Sequence, residues 1–395
     1  MKIALVSPYD WLTPGGVNQH IDQLAHHLED AGHRTRILAP ASGAVDDRRV
    51  IVAGRPVSVL PVPASGSRAR ISLDPMIGRH VRRVLTEERF DVVHVHEPLM
   101  PTLPIQVLRH SRAANPDVVN VGTFHARKDG GNRLYSYGRL LLKRWFREID
   151  GKVAVSPPAA HYVSRYFPGF YNIIPNGIDL ARWDGTLVEP VPELDDGMLN
   201  ILYVGRAEKR KGLPYLLRAF GMVNARMGNT RLVLVGPDSR RWRRYQDSIE
   251  RAGRRNVVFV PSVSDAELPR YHRSAHIFCS PATGHESQGY VLLEAMAAGL
   301  PVVASNIDGY ASVLTHGVEG LLVPPRDSHV LGDALTQLAR NGDRRAALGA
   351  AGRVRVEDYS WPRVALRLIS YYERLRYERG QAPRSAAVPP VLRPA

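Results

Sequence analysis

Gly284-His285-Glu286-Ser287-Gln288-Gly289-Tyr290-Val291-Leu292-Leu293-Glu294-Ala295-Met296-Ala297-Ala298-Gly299, with Pro301-Val302-Val303-Ala304 after it, reads as a glycine-rich loop, an apolar helix and a buried strand. Glu286 falls in the loop. Glu294 comes two helical turns later, inside the apolar run that ends at Gly299 and Pro301. On a solvated helix face such a pair would need no explanation. Here Glu294 is flanked by core residues, and a carboxylate among core residues needs a reason to be there. One reason is ligand binding: a carboxylate beside a helix N-terminus accepts hydrogen bonds from sugar or ribose hydroxyls, while free helix N–H groups receive phosphate oxygens.

Working outward, each half of the chain opens with a buried strand, a glycine turn and a helix, the pattern of a doubly wound nucleotide-binding unit. In the first half Lys2–Ser7 leads to Pro14-Gly15-Gly16-Val17 and a helix through Leu28. In the second, Leu199–Gly205 leads to Arg206, Lys211-Gly212 and a helix from Leu213 to Val223. Further strands are expected at 35–39, 50–52, 91–96, 118–123 and 151–155, and at 231–235, 257–260, 277–280, 301–304 and 320–323. Right-handed crossovers between them place ligands at one rim of each sheet. The expected organisation is a first domain over 1–184, a Pro- and acid-rich linker over 185–198, and a second domain over 199–359. A helix over 360–380 and a disordered Pro/Ala-rich tail over 381–395 complete it.

At 395 residues and 44% hydrophobic content the chain can bury two cores. No apolar run reaches the roughly 18 residues of a membrane span, and Lys2 enters a strand rather than an export signal, so a cytoplasmic protein is expected. Cys279, the single cysteine, excludes an internal disulfide and reads as core filler. The net charge of +15 favours an acidic partner. Nucleic acid is not expected, because the basic residues are scattered and no recognition motif appears.

Arg206 and Lys211 stand past a strand end and at a helix entry, where fixed cations stabilise a departing nucleoside diphosphate. Gly15-Gly16 lets phosphate approach the backbone. His94 and His96 alternate along a strand, without a third ligand at defined spacing. Arg68, Arg70, Arg79, Arg82 and Arg83 surround Ile71, Leu73, Met76, Ile77 and Val81, as in a basic amphipathic segment that docks on an anionic leaflet.

The E-x7-E segment, Gly205-Arg206 with Lys211-Gly212, and Thr123-Phe124-His125 together resemble the retaining glycosyltransferases of family 4, which have the GT-B fold: two Rossmann-like α/β domains facing a central cleft. The resemblance implies that Glu286 holds the donor sugar, with Ser287, Gln288 and Gly289 beside it, and that Glu294 holds the ribose. It implies that Arg206 and Lys211 bind the diphosphate and that His125 hydrogen-bonds the transferred sugar. Gly15 and Gly16 would border the donor, and Tyr9, Asn18 and His20 the acceptor. Within the family the motifs are most similar to those of phosphatidylinositol mannosyltransferases, which implies GDP-mannose as donor, a lipid or polyol acceptor and a peripheral place on the inner face of the plasma membrane. Val263-Ser264-Asp265 resembles the loop that contacts guanine. No cofactor or protein-held metal is implied beyond a loosely bound Mg2+. The chain departs from those enzymes at Asn18, at Ala126–Gly131 and at Leu268. A UDP-sugar with a soluble or polysaccharide acceptor, a nucleotide-sugar epimerase, and a basic nucleic-acid-binding protein are the alternatives.

Overall fold

The computed structural model describes residues 1–380 apart from 14, 62–67, 73, 75, 127–132, 185–187, 238 and 252–255, with backbone alone for 56–61, 68–70 and 133. Pro14, Leu73, the divergent stretch from 127 to 131, the first residues of the expected linker, the tail from 381 and the side chains of Arg68 and Arg70 therefore lie outside the described residues.

The chain forms two compact units, Met1–Gly177 with Trp361–Ala395, and Ile178–Ser360. The first holds a seven-stranded sheet in the order Val50–Val52, Arg34–Ala39, Lys2–Val6, Val92–His96, Val119–Phe124, Gly151–Ala154, Asn172–Ile173, parallel throughout. The second holds six parallel strands in the order Val257–Val260, Thr230–Val235, Leu199–Val204, Ile277–Ser280, Val302–Ser305, Gly320–Val323. Helices cover both faces, so the central strands are continuous apolar runs rather than alternating ones. In each sheet the order reverses beside the first strand of the unit, and the crevice past the strand ends at that reversal is where such sheets hold ligands. Ser7 and Glu97 flank it in the first unit, Gly205 and Pro281 in the second.

The chain crosses between units after Gly177 and again at Ser360, not within 185–198 as expected. The acidic, Pro-rich stretch is stitched to the second unit instead. Leu194 is buried, the Val191 amide donates to Ser274 Oγ at 2.8 Å, and Asn200 Nδ2 donates to the Leu194 carbonyl at 2.7 Å. The helix Trp361–Glu378 belongs to the first unit. There Trp361, Val364, Leu368 and Tyr372 pack with Ile3, Leu5, Ile21 and Val121. Cys279 is fully buried.

The basic segment is not one amphipathic helix. Arg68–Ser72 is a strand paired antiparallel with Pro56–Pro61, and the helix begins only at Ile77, running to Glu88. Its apolar residues Ile77, Val81, Val84 and Leu85 are buried in the protein's own core. Only the polar face, with exposed Arg79, Arg82 and Arg83, is left to meet a partner.

Candidate active site

In the second unit the loops past the central strands converge on Glu286. The 3-10 turn Lys209–Lys211 leads into the helix Leu213–Met227. It is pinned by the Thr283 amide, which donates to the Arg210 carbonyl at 2.7 Å. Gly212 between them has φ 73°, and a Cβ there would lie 1.8 Å from the Pro281 carbonyl oxygen, so only glycine permits this approach. The result is an ion cluster: Lys211 Nζ lies 2.8 Å and an Arg210 guanidinium nitrogen 2.5 Å from the same Glu286 oxygen, and Arg210 also pairs with Glu208 at 2.8 Å. Glu286 itself is buried. His285, just before it, is a non-glycine residue at φ 59°, a strained backbone of the kind that collects at functional sites.

The helix Tyr290–Ala297 then starts at Gly289 without a side-chain cap. Glu294 is buried on this helix, and burial pushes its carboxyl up to about 7, opposed by Arg182 and Lys211 and assisted by Asp265. Asp265 is thereby in the same electrostatic neighbourhood as Glu294. Its side chain is 84% exposed, and its backbone carbonyl accepts from Arg182 at 2.5 Å. Val263, half-buried, packs on the core beneath.

Arg206 is not drawn to Glu286. It pairs with Glu208 at 3.5 Å and lines an open pocket of about 420 Å³ with Pro237, Arg240, Arg241 and Arg244. Arg210, not among the expected site residues, is the arginine beside Glu286, and no sequence signal separates it from Lys209.

In the first unit the strand Val92–His96 and the end of Val119–Phe124 bring His94, His96 and His125 together with His20 from the helix Gly16–Asp30. His96 Nδ1 and His125 Nε2 are 2.9 Å apart, and the ring centroids of His20 lie 5.0 Å from His125 and 5.2 Å from His96. His94 is spent internally, on Tyr372 Oη and Thr123 Oγ1 at 2.6 Å each. Burial lowers all four imidazoles, His20 to about 4 and His94 to about 3, so they are neutral near pH 7. His20, His96 and His125 each bring a ring nitrogen within 4.8 Å of the others, a set of three that alternation along one strand did not reveal.

Glu97 closes this cluster. Its Oε1 accepts from the amides of His125 at 2.8 Å and Ala126 at 2.9 Å, and burial lifts its carboxyl to about 7 against those two donors. Its own backbone is left-handed, φ 49°. Tyr9 is half-buried against Ala126, Ile71 and Met100, and its backbone bridges to Ile71, which ties the hairpin to this site. Asn18, expected at the acceptor, is buried. Its side chain accepts from Ser7 Oγ at 2.6 Å and donates to the Asp10 carbonyl at 2.9 Å and that of Thr13 at 3.3 Å, holding the loop after the first strand. Gly15 and Gly16 are exposed at an uncapped helix start. A Cβ there would meet nothing closer than 4.0 Å, so no packing of the protein's own requires glycine.

The family model described as Glycosyltransferase Family 4 matches residues 14–182, and that of Glycosyl transferases group 1 matches 189–355. The phosphatidyl-myo-inositol mannosyltransferase of Mycobacterium leprae is 36% identical over 94% of this chain and 96% of its own length. That of Mycolicibacterium smegmatis is 36% identical over 94% of each. The crystal structure of a glycosyltransferase from Rickettsia africae superposes with a TM-score of 0.75 at 18% identity, covering 95% of this chain and 98% of that one. With two doubly wound units of seven and six strands, the chain belongs to the family 4 glycosyltransferases, enzymes of the GT-B fold.

Proposed function

We propose that the protein transfers mannose from GDP-mannose to an inositol-bearing lipid, with retention at the anomeric carbon. The observation that carries this reading is the ion cluster of Glu286, Lys211 and Arg210 ahead of an uncapped helix that carries a buried Glu294. One end of the cluster supplies positive charge to a departing diphosphate, and the other an acceptor for hydroxyls. The names of the relatives support the lipid acceptor and the mannose.

Glu97 is a poor nucleophile, because two backbone amides hold its oxygen. Catalysis then rests on orientation and charge stabilisation, with the leaving phosphate taking the acceptor proton on the same face. Neutral His125, held by the fully buried His96 at 2.9 Å, is suited to hydrogen-bond a sugar hydroxyl, since a neutral imidazole offers one donor and one acceptor. The exposed Asp265 carboxylate can accept from guanine N1 and N2, which favours GDP over UDP.

No helix among the described residues is long and apolar enough to cross a membrane. Attachment to the inner leaflet would be peripheral, with Arg79, Arg82 and Arg83 drawn to anionic headgroups. The test is incubation with radiolabelled GDP-mannose and vesicles containing phosphatidylinositol, beside UDP-glucose controls. Label in the lipid phase from GDP-mannose alone is expected; label only in soluble products, or only from UDP-glucose, overturns the reading.

A further inference from the structure

The helix Arg133–Phe146 carries two apolar faces, and the protein uses only one. Tyr135, Leu142 and Phe146 are buried in the core of the first unit, Tyr135 against Phe167 and Tyr166, and Phe146 against Phe167. On the opposite side Tyr137, Leu140 and Leu141, at i, i+3 and i+4, form one stripe and are 87%, 87% and 79% exposed. A surface helix of a soluble domain is expected to be polar on that side. Three large apolar side chains left in water at adjacent helical positions are instead the mark of an interaction surface.

The surroundings choose the partner. From Arg133 to Arg147 there is no acidic residue, while Arg139, Lys143, Arg144 and Arg147 are all basic. Arg139, Lys143, Arg144 and Arg147 are exposed, and Arg144 follows Tyr137 by two turns on the same stripe. Arg144 also lies over the half-buried Trp145 ring, 5.0 Å from its centroid, an aromatic and cation pair suited to the headgroup level. Apolar residues along one line with cations on its flanks match a bilayer with anionic headgroups: the leucines enter the acyl boundary and the cations stay at the phosphates. A protein partner of equal apolar complement would not call for so uniform a positive border.

We propose that the helix Arg133–Phe146 lies in the interfacial layer of an anionic membrane, with Tyr137, Leu140 and Leu141 inserted. This surface is separate from the Arg79, Arg82 and Arg83 patch, whose helix has already spent its apolar face on the core. It does not depend on the acceptor being an inositol lipid.

The test uses the full chain and vesicles of phosphatidylcholine with or without phosphatidylglycerol, free of any inositol lipid, so that anchoring is read apart from the transfer reaction. Leu140→Cys labelled with an environment-sensitive fluorophore reports insertion, because the native Cys279 is fully buried and escapes the reagent. A blue shift on anionic vesicles, quenched by brominated acyl chains, is expected. The double variant Leu140→Ser/Leu141→Ser should lose vesicle binding by about tenfold or more, since two large apolar side chains leave the lipid, while GDP affinity stays at the wild-type value. Part of the wild-type binding should persist at high salt, because the apolar contribution is not screened. Three results overturn the proposal: no spectral shift with vesicles, binding that is wholly lost in salt and indifferent to the leucines, or a shift that follows protein concentration without lipid and accompanies dimers in sedimentation, which would assign the stripe to a second copy.

Discussion

Lys211 Nζ and Glu286 Oε1 are 2.8 Å apart, and Arg210 holds that same carboxylate oxygen from a second direction. Arg210 is shared with Glu208 at 2.8 Å, and Arg206 lies 3.5 Å from Glu208, so three cations face two carboxylates and one positive charge remains to meet an anion.

That excess separates two roles for Lys211. If it only secures Glu286, Arg210 suffices and Lys211→Ala should turn over nearly as fast as wild type. If it meets the developing charge on the diphosphate, the variant loses a preorganised donor worth about 2.7 to 4 kcal/mol. We expect a fall in kcat of roughly 100-fold or more, with an unchanged circular dichroism spectrum. Steady-state kinetics decide between them.

Glu286 and Glu294 should separate by assay. Glu286→Gln is expected to reduce turnover more than GDP affinity, and Glu294→Gln to weaken GDP binding itself. Proton uptake gives a sharper signature. Burial holds the Glu294 carboxyl near 7, so in the free protein about half of it is protonated at neutral pH. Only the carboxylate accepts two ribose hydroxyl hydrogens, so GDP binding should tighten as pH rises from 6 to 8. In Glu294→Gln that slope should shrink to what the nucleotide phosphate alone contributes. Calorimetry across this range with equal slopes for both proteins would sink the ribose assignment.

Much of this architecture is legible in the sequence, because buried parallel strands are unbroken apolar runs whose ends are marked by glycine or polar residues. The ten further strands expected from such runs lie within one residue of the observed ones. Long-range pairing is what escaped. The Pro56–Pro61 and Arg68–Ser72 hairpin has prolines at both ends of one strand and arginines along the other, so Arg68, Arg70 and the residues after them were readable as one basic amphipathic segment. Among site residues, those at strand ends and glycine turns announce themselves. Arg210 does not, since only the fold of the turn aims it at Glu286 rather than at solvent. Asn18 shows the reverse, a polar residue in a motif whose hydrogen bonds are all internal.

Glu97 is a positioning residue, and the chemistry of its contacts predicts how it tolerates change. It acts on His125 and Ala126 through one acceptor oxygen that takes two amide hydrogens. An amide oxygen in the same place can do that, and the carboxyl near 7 is already partly neutral. Glu97→Gln should therefore keep most of the wild-type activity, with a flattened pH profile between 6 and 8. Glu97→Ala leaves two buried amides without an acceptor, a loss of about 1 to 3 kcal/mol each at most. It should lower kcat while GDP affinity, which we propose resides in the second unit, holds. Equal activity in the two variants would show that His125 needs no such support.

The approach of Gly212 to Pro281 gives the last expectation. Alanine at 212 incurs the left-handed backbone penalty of roughly 1 to 2 kcal/mol, and its Cβ meets a backbone carbonyl that cannot swing away. The turn must shift to relieve the contact, and with it Lys211 and Arg210 leave Glu286. Gly228 is the control, because its φ is also positive, at 67°, yet a Cβ there meets nothing within 4 Å. Gly228→Ala should lower the melting temperature by only a few degrees, at about 2 to 4 °C per kcal/mol for a unit of this size, and keep full turnover. Gly212→Ala should lose more stability than that and reduce kcat to the level of Lys211→Ala. If both alanine variants melt together and turn over alike, the contact with Pro281 does not hold the cation pair in place, and the geometry of the Glu286 cluster is maintained by the Thr283 and Glu208 contacts to Arg210.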